Sequence, residues 1–262
     1  MSSPKPFDLA ASTYKHVLDA PKPQVAVLPL GATEPHNLHL PYGTDTYQVT
    51  ALAERACADA VAKGASVWML PAIPFGTETN LMRFPLTINV NPSTLGRMIG
   101  DIVESLEQHG VKKLVLLNGH GGNELKWVLR EWYGKADVHL FICHWFRMIA
   151  DIRKDVLDDL DGDHADELET SMMLHLRPDL VQMAEADAGS MRPARLETLK
   201  KGWVEYSRPW HVLTTNTGAG NPSQATAEKG RKLADVFVDR FSSFLVELAA
   251  ADVDADFPME SH

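Results

Sequence analysis

Short apolar runs alternate with amphipathic stretches from Gln24 to Cys143, and that alternation leaves few architectures open. The runs are Gln24 to Leu30, Ser66 to Leu70, Lys113 to Leu117 and Val138 to Cys143. Each is rich in Val, Leu and Ile without in/out alternation, as in strands buried on both faces of a parallel sheet. Between them, Thr46 to Ala62, Ser93 to His109 and Glu124 to Tyr133 carry helical spacing. Asn91-Pro92-Ser93 offers a cap for the second of these and Gly110 a stop. Strands alternating with helices imply crossover connections and a sheet covered on both sides. The expected fold is α/β, a mostly parallel sheet flanked by helices on both faces.

Further on, Pro222 to Leu248 places Leu233, Val236, Phe237, Phe241, Phe244 and Leu245 at helical spacing, which predicts a C-terminal helix on the core. Ala184 to Pro222 is polar and aperiodic, so it reads as loop-rich. No repeat, low-complexity tract or linker divides residues 1–262, and they are read as one domain. A chain of this length buries roughly 75% of its unfolded surface without needing a staple. Two cysteines, Cys57 and Cys143, exclude a disulfide framework and suit a reducing compartment. Met1 to Lys5 lacks the basic-then-apolar order of a signal peptide, and no run reaches the roughly 18 apolar residues of a membrane span. The expected location is the cytoplasm. A formal net charge of -10 argues against a nucleic-acid partner, and no polybasic segment invites a membrane surface.

Three segments carry chemistry. The first, Glu34-Pro35-His36-Asn37-Leu38-His39-Leu40-Pro41-Tyr42-Gly43-Thr44-Asp45, follows the first predicted strand. Ligands of open parallel sheets bind beyond the carboxyl ends of strands, and this loop begins at such an end. Imidazole and carboxylate donors without thiolate suit catalytic Zn, Mn or Fe. The competing reading is a surface loop whose polar groups bond its own backbone. The second segment, Asn118-Gly119-His120-Gly121-Gly122-Asn123, lies at another strand end and is expected to open a helix. Its glycines allow close approach and positive φ, its helix start could hold an anionic oxygen, and His120 would enter the crevice. A Gly-rich turn with a solvent-facing His is the alternative, and neither a dinucleotide nor a P-loop pattern is present. In the third segment, His164-Ala165-Asp166-Glu167-Leu168-Glu169-Thr170-Ser171, His164 and Glu169 nearly share a face if the start is helical. A helix dipole explains Asp166 and Glu167 in a first turn, but not a His there.

In order and spacing these segments resemble the creatininase (creatinine amidohydrolase) family. Its motifs read Glu-x-His-x-x-His-Leu-Pro-x-x-Thr-Asp, Asn-Gly-His-Gly-Gly-Asn and His-x-x-x-x-Glu-Thr-Ser, and the likeness runs from about Gln24 to about Leu180. The resemblance implies a three-layer sandwich, two divalent metal ions per subunit (Zn, Mn or Fe) and a homohexamer. It places Glu34, His36, Asp45 and His120 at metal-ligand positions, with Asp45 bridging. His164 matches a catalytic or substrate-contacting His, and Glu169 is the candidate for a further ligand. Creatininase has a Glu two residues after the His matched by His120; here Gly122 stands there, as in other family members. The stretch Thr79 to Ile88 lacks a His that members often carry and has Leu86 in place of a Gly. Leu160 replaces the aromatic residue four before the matched His164. These departures speak against creatinine as substrate.

The expected activity is hydrolysis of a small cyclic amide or formamide by a metal-activated bridging water. His164 would donate a proton to the departing nitrogen. Glu124 would be either a supporting partner or an ordinary helix cap. Two alternatives are hydrolytic ring opening of a cyclic ketone at the same centre and a non-catalytic binding protein on the same fold. Trp203, Tyr206 and Trp210 are expected to be exposed, for subunit contacts or for closing over a site.

Overall fold

The computed structural model describes residues 5–260, so the reading of Met1 to Pro4 lies outside the described residues. Strands β1 (Val25–Leu30), β2 (Val67–Met69), β3 (Lys113–Asn118) and β4 (His139–His144) form a sheet in the order β2-β1-β3-β4. Every pairing is parallel. The longer helices are α1 (Thr44–Ala62), α2 (Pro92–Gln108), α3 (Lys126–Trp132), α4 (Glu167–Leu176) and α5 (Ala227–Ala250).

Two apolar layers explain why the strand sequences show no alternation. Val25, Val27, Val115 and Leu117 pack with Leu52 and Ala56 of α1 and Phe237 and Phe241 of α5. Ala26, Leu28, Leu30, Leu114 and Leu116 point the other way, onto Leu95 and Ile99 of α2 and Val128 of α3. The side chains do alternate between faces, but both faces are dry. The register keeps the layers in line, with Ala26 opposite Leu114 and Val27 opposite Val115. Each such buried side chain contributes about 1.5–3 kcal/mol. The result is the expected sandwich of helices, parallel sheet and helices.

Helix ends depart from expectation in informative ways. α1 starts at Thr44, so Asp45 lies in its first turn, where the helix dipole favours a carboxylate. Asn91 is the N-cap of α2 by position, but its side-chain oxygen accepts from Asn89 Nδ2 at 2.9 Å and does not cap. Pro92 at the first turn supplies the preorganised start, and Gly110 at φ 73° lies just beyond the end. α3 begins at Lys126, so the Gly-rich segment is a separate turn and does not open the helix directly. Thr226 caps α5 by accepting from Lys229 N at 3.2 Å. At the other end of α5, the buried Lys113 Nζ donates to the carbonyls of Leu248, at 2.7 Å, and Ala251.

Ala184 to Pro222 holds only short helices such as Glu197–Lys200 and Trp210–Leu213, with irregular chain between them. No helix among the described residues is long and apolar enough to cross a membrane. The connection after β1 covers one face with α1, whereas that after β3 covers the opposite face with α3. The two chains therefore part at the carboxyl ends of adjacent strands, and a crevice opens there.

Candidate metal centre

Three chain segments deliver buried polar groups to that crevice. The loop after β1 brings Glu34 (1% exposed), His36 (0%) and, through the first turn of α1, Asp45 (1%). The turn after β3 brings His120. It approaches closely because a Cβ at Gly119 would meet Val49 Cβ at 2.8 Å and the Asp45 carbonyl at 3.0 Å. None of Gly119, Gly121 and Gly122 takes positive φ; close approach accounts for Gly119 and Gly122, while a Cβ at Gly121 would meet open space. The start of α4 brings Glu169, whose N–H donates to the N-cap side chain of Asp166 at 2.9 Å. His164 precedes the helix and so does not share a helical face with Glu169. An antiparallel bridge to Ala219 holds it instead.

The donors fall into groups that share a member. Glu34, Asp45 and His120 place ligand atoms within 4.8 Å of one another, as do His36, Asp45 and Glu169. Asp45 offers Oδ1 to His36 Nε2 at 3.2 Å and Oδ2 to His120 Nδ1 at 3.0 Å. Glu34 Oε1 lies 2.9 Å from His120 Nδ1, and Glu169 Oε2 lies 3.8 Å from His36 Nε2. A further group joins Glu34, His36 and His164, with His164 Nδ1 3.8 Å from Glu34 Oε1.

In His36 and His164 the far ring nitrogen is anchored. His36 Nδ1 donates to the Glu34 carbonyl at 3.0 Å, and His164 Nε2 donates to the Pro35 carbonyl at 3.0 Å. That leaves His36 Nε2 and His164 Nδ1 as the nitrogens turned toward the carboxylates, the orientation that metal-binding imidazoles require. Glu34 Oε1 and Asp45 Oδ2 are buried without an aligned hydrogen bond, although His120 lies within 3.0 Å of each. Such oxygens are costly to bury unless a cation serves them. The donor set, oxygen and imidazole only, therefore fits divalent Zn, Mn or Fe.

Electrostatics say the same. Burial opposes charge on His36, but Asp45, Glu169 and Glu34 override it and raise its pKa to about 10. His120 is likewise raised against burial by Glu34 and Asp45. Asp45 is held below the usual carboxylate range because His36 and His120 outweigh its burial. Burial pushes Glu34 up against His120 and His164, and pushes Glu169 to about 8 against His36. His164 is lowered to about 4, chiefly by burial, with Glu34 pulling the other way. The carboxylates thus favour positive charge at His36 and His120.

The site opens into a cavity of about 480 Å³ whose wall includes Glu124, Glu205, Tyr206 and Arg208. Glu124 is exposed on that wall and makes no cap, since α3 starts later and its N-cap is Leu125. Trp210 corrects the expectation of an exposed aromatic. It is 4% exposed and packs edge-on to His164 at 4.9 Å, while Trp203 and Tyr206 stay outside. His39 is a core histidine, with Nε2 2.8 Å from Thr170 Oγ1. Glu78 was not anticipated. It is fully buried on the segment after β2, with Oε1 2.7 Å from His120 Nε2. The carboxyl end of β2 was its available signal, because that strand end borders the same crevice.

Backbone strain gathers here too. Asn37, Ala165 and Thr217 are non-glycine residues at positive φ (53°, 49° and 69°), and all lie in loops around the site. Ala165 N–H donates to Glu169 Oε2 at 2.6 Å, while Thr217 Oγ1 accepts from Asn37 N and donates to the Pro35 carbonyl. The strained residues hold the loops that carry the donors. Leu86, which replaces the family's Gly, also takes positive φ (59°) and is 86% exposed.

The family model described as creatinine amidohydrolase matches residues 10–245. Among curated proteins, a mycofactocin precursor peptide peptidase of Mycobacterium tuberculosis is 31% identical over 221 residues, covering 81% of each chain. Among solved structures, one from Bacteroides fragilis, described as a candidate creatinine amidohydrolase, superposes with a TM-score of 0.90. It is 35% identical and covers 95% of this chain and 99% of its own. A structure described as manganese creatininase shares the fold at a TM-score of 0.77 and 23% identity, covering 94% of this chain and 99% of its own. Placed beside the shared Asp45 and the buried donors around it, these likenesses put the chain in the creatininase family.

Proposed function

We propose that this hydrolase is a metal-dependent amidohydrolase that splits a carbon–nitrogen bond of a small amide. The observation that carries the reading is Asp45, which presents one oxygen to each of two buried donor groups. Glu34, Asp45 and His120 would hold one divalent ion, and His36, Asp45 and Glu169 the other. Such a pair supplies, when bound, an activated water and polarisation of the amide carbonyl. Manganese or zinc fits the donors, and manganese is named for the creatininase structure of the same fold.

His164 is the proton carrier in this reading. Its Nε2–H is fixed on the Pro35 carbonyl, so Nδ1 is the atom that takes a proton from the attacking water and returns it to the leaving nitrogen. Trp210 against the ring excludes water from that side. The cavity accommodates a cyclic amide or a formamide, and the departures at Leu86, Leu160 and Gly122 disfavour creatinine. The Mycobacterium tuberculosis relative favours a second reading, in which the amide is a peptide bond.

The decisive experiment loads the protein with Mn²⁺ or Zn²⁺ and follows amine release from cyclic amides, formamides and short peptides. Turnover that a chelator abolishes is expected, and chelator-insensitive turnover would sink the metal reading. Substrate loss without nitrogen release would instead indicate ring opening of a cyclic ketone. We further propose a homohexamer in the cytoplasm. Exposed Trp203 and Met82 would find cover at subunit contacts, and the free, buried cysteines suit that compartment. A monomeric mass by light scattering would refute the assembly.

A further inference from the structure

We infer that Glu78 is a positioning residue for one metal only: it holds His120 so that Nδ1 faces the Glu34–Asp45 side of the centre. The inference rests on the proposed metal reading and adds a residue that neither the motifs nor the donor groups include.

Glu78 is 0% exposed, and neither carboxylate oxygen has an aligned hydrogen bond. Its Oε1 nevertheless lies 2.7 Å from His120 Nε2, the separation of a charge-assisted contact. The same nitrogen is 3.3 Å from the Thr77 carbonyl, so two acceptors converge on it. With Nε2 occupied, Nδ1 is the nitrogen left to meet a metal, 2.9 Å from Glu34 Oε1 and 3.0 Å from Asp45 Oδ2. A carboxylate behind an imidazole fixes the tautomer and ring angle and raises the basicity of the ligating nitrogen. A backbone carbonyl could fix the tautomer, but only the carboxylate also brings charge.

The surroundings make the placement rigid. Glu78 N–H donates to Asn89 Oδ1 at 2.8 Å, and Thr77 N–H donates to Asn123 Oδ1 at 3.1 Å. Asn123 belongs to the turn that carries His120, so one motif holds both the ligand and the segment behind it. Gly122 completes the fit: a Cβ there would lie 2.3 Å from His120 Nε2 and 2.5 Å from the Thr77 carbonyl. Position 122 therefore has no room for a side chain, and the carboxylate that meets the ring arrives from the segment after β2 instead.

The test is metal affinity, measured on the metal-free protein by competition with a chelator for Mn²⁺ and for Zn²⁺. Glu78→Gln keeps the shape and removes the charge. One of the two affinities should fall about 10- to 100-fold, the other should stay within about twofold, and saturating metal should still fill both sites. Both affinities unchanged would overturn the inference, as would both falling together. Loss of one ion even at saturation would make Glu78 a ligand and overturn it too. If Glu78→Gln does not fold, Glu78→Asp, which retracts the oxygens but keeps the charge, must show the same single-site loss. Wild-type protein that binds no ion would refute the metal reading and this inference with it. Two ions in wild type with an unaffected Glu78→Gln would refute this inference alone.

Discussion

The layer between the sheet and α5 and the crevice at the sheet's carboxyl edge are equally buried, yet their burial has opposite energetic signs. In the layer, Phe237, Phe241, Leu233 and Leu245 are all 0% exposed and touch other apolar groups. In the crevice, Glu34, His36, Asp45 and Glu78 are at most 1% exposed, and the carboxylates gathered there outnumber the histidines that face them. Removing apolar surface from water stabilises the fold, whereas burying ionised groups costs energy until a partner or cation compensates. The layer is thus where the fold is made, and the crevice is a cost that the layer offsets. The contrast predicts that substitutions in the two regions respond differently to metal.

Asp45→Ala should have the largest effect. With the shared carboxylate gone, elemental analysis should find both ions lost and the metal-dependent activity with them. The metal-free variant should melt below the metal-free wild type, because His36 and His120 lose the buried carboxylate that pairs with both. Unchanged metal content would show that Asp45 is not shared between ions. His36→Ala should also lose metal together with activity.

His164→Gln tests the proton carrier within the same crevice. Metal content should stay near wild type, while kcat falls by roughly 10²- to 10⁴-fold. A variant that loses metal as His36→Ala does would make His164 a ligand, as its membership of a group with Glu34 and His36 allows. An active, metal-replete variant would reduce it to a packing partner of Trp210.

Phe237→Ala probes the apolar side. It should cost about 3–5 kcal/mol in urea unfolding, by the same amount with and without metal. A cost that depended on metal would mean the layer and the crevice are coupled, and the comparison drawn above would fail.

The layer was the more legible region for a physical reason. Apolar runs such as Lys113 to Leu117 repeat one chemistry over several residues, so strands appear within a residue of their expected ends. The donors were legible where motif and strand end coincide, as at Glu34, His36, Asp45 and His120. Glu78 was not, because a single Glu in an irregular segment looks like any solvated acid until the fold brings it behind His120. Trp210 was missed for a related reason: an aperiodic segment does not show which of its aromatics turns inward. The late start of α3 follows from the turn after β3, whose Asn123 side chain bonds Gly31, Thr77 and Asn118 before the helix can begin.

The smallest effect should separate two helix caps of the same kind. Thr226 accepts from Lys229 N at 3.2 Å and caps α5, which carries no donor; Asp166 accepts from Glu169 N at 2.9 Å and caps the helix that carries one. Losing a cap of either kind costs about 1 kcal/mol. Thr226→Ala should therefore shift the urea midpoint by that amount and leave metal affinity alone, since the backbone N–H that ties residue 226 to Ser171 of α4 is kept. Asp166→Ala should show a similar shift in stability but also weaken metal, because Glu169 N–H loses the acceptor that fixes the first turn of α4. Calorimetric titration of Mn²⁺ into both metal-free variants reads the difference. Equal affinities in the two would mean that Ala165 N–H, which donates to Glu169 Oε2 at 2.6 Å, suffices to place the carboxylate. The cap would then belong to the fold alone.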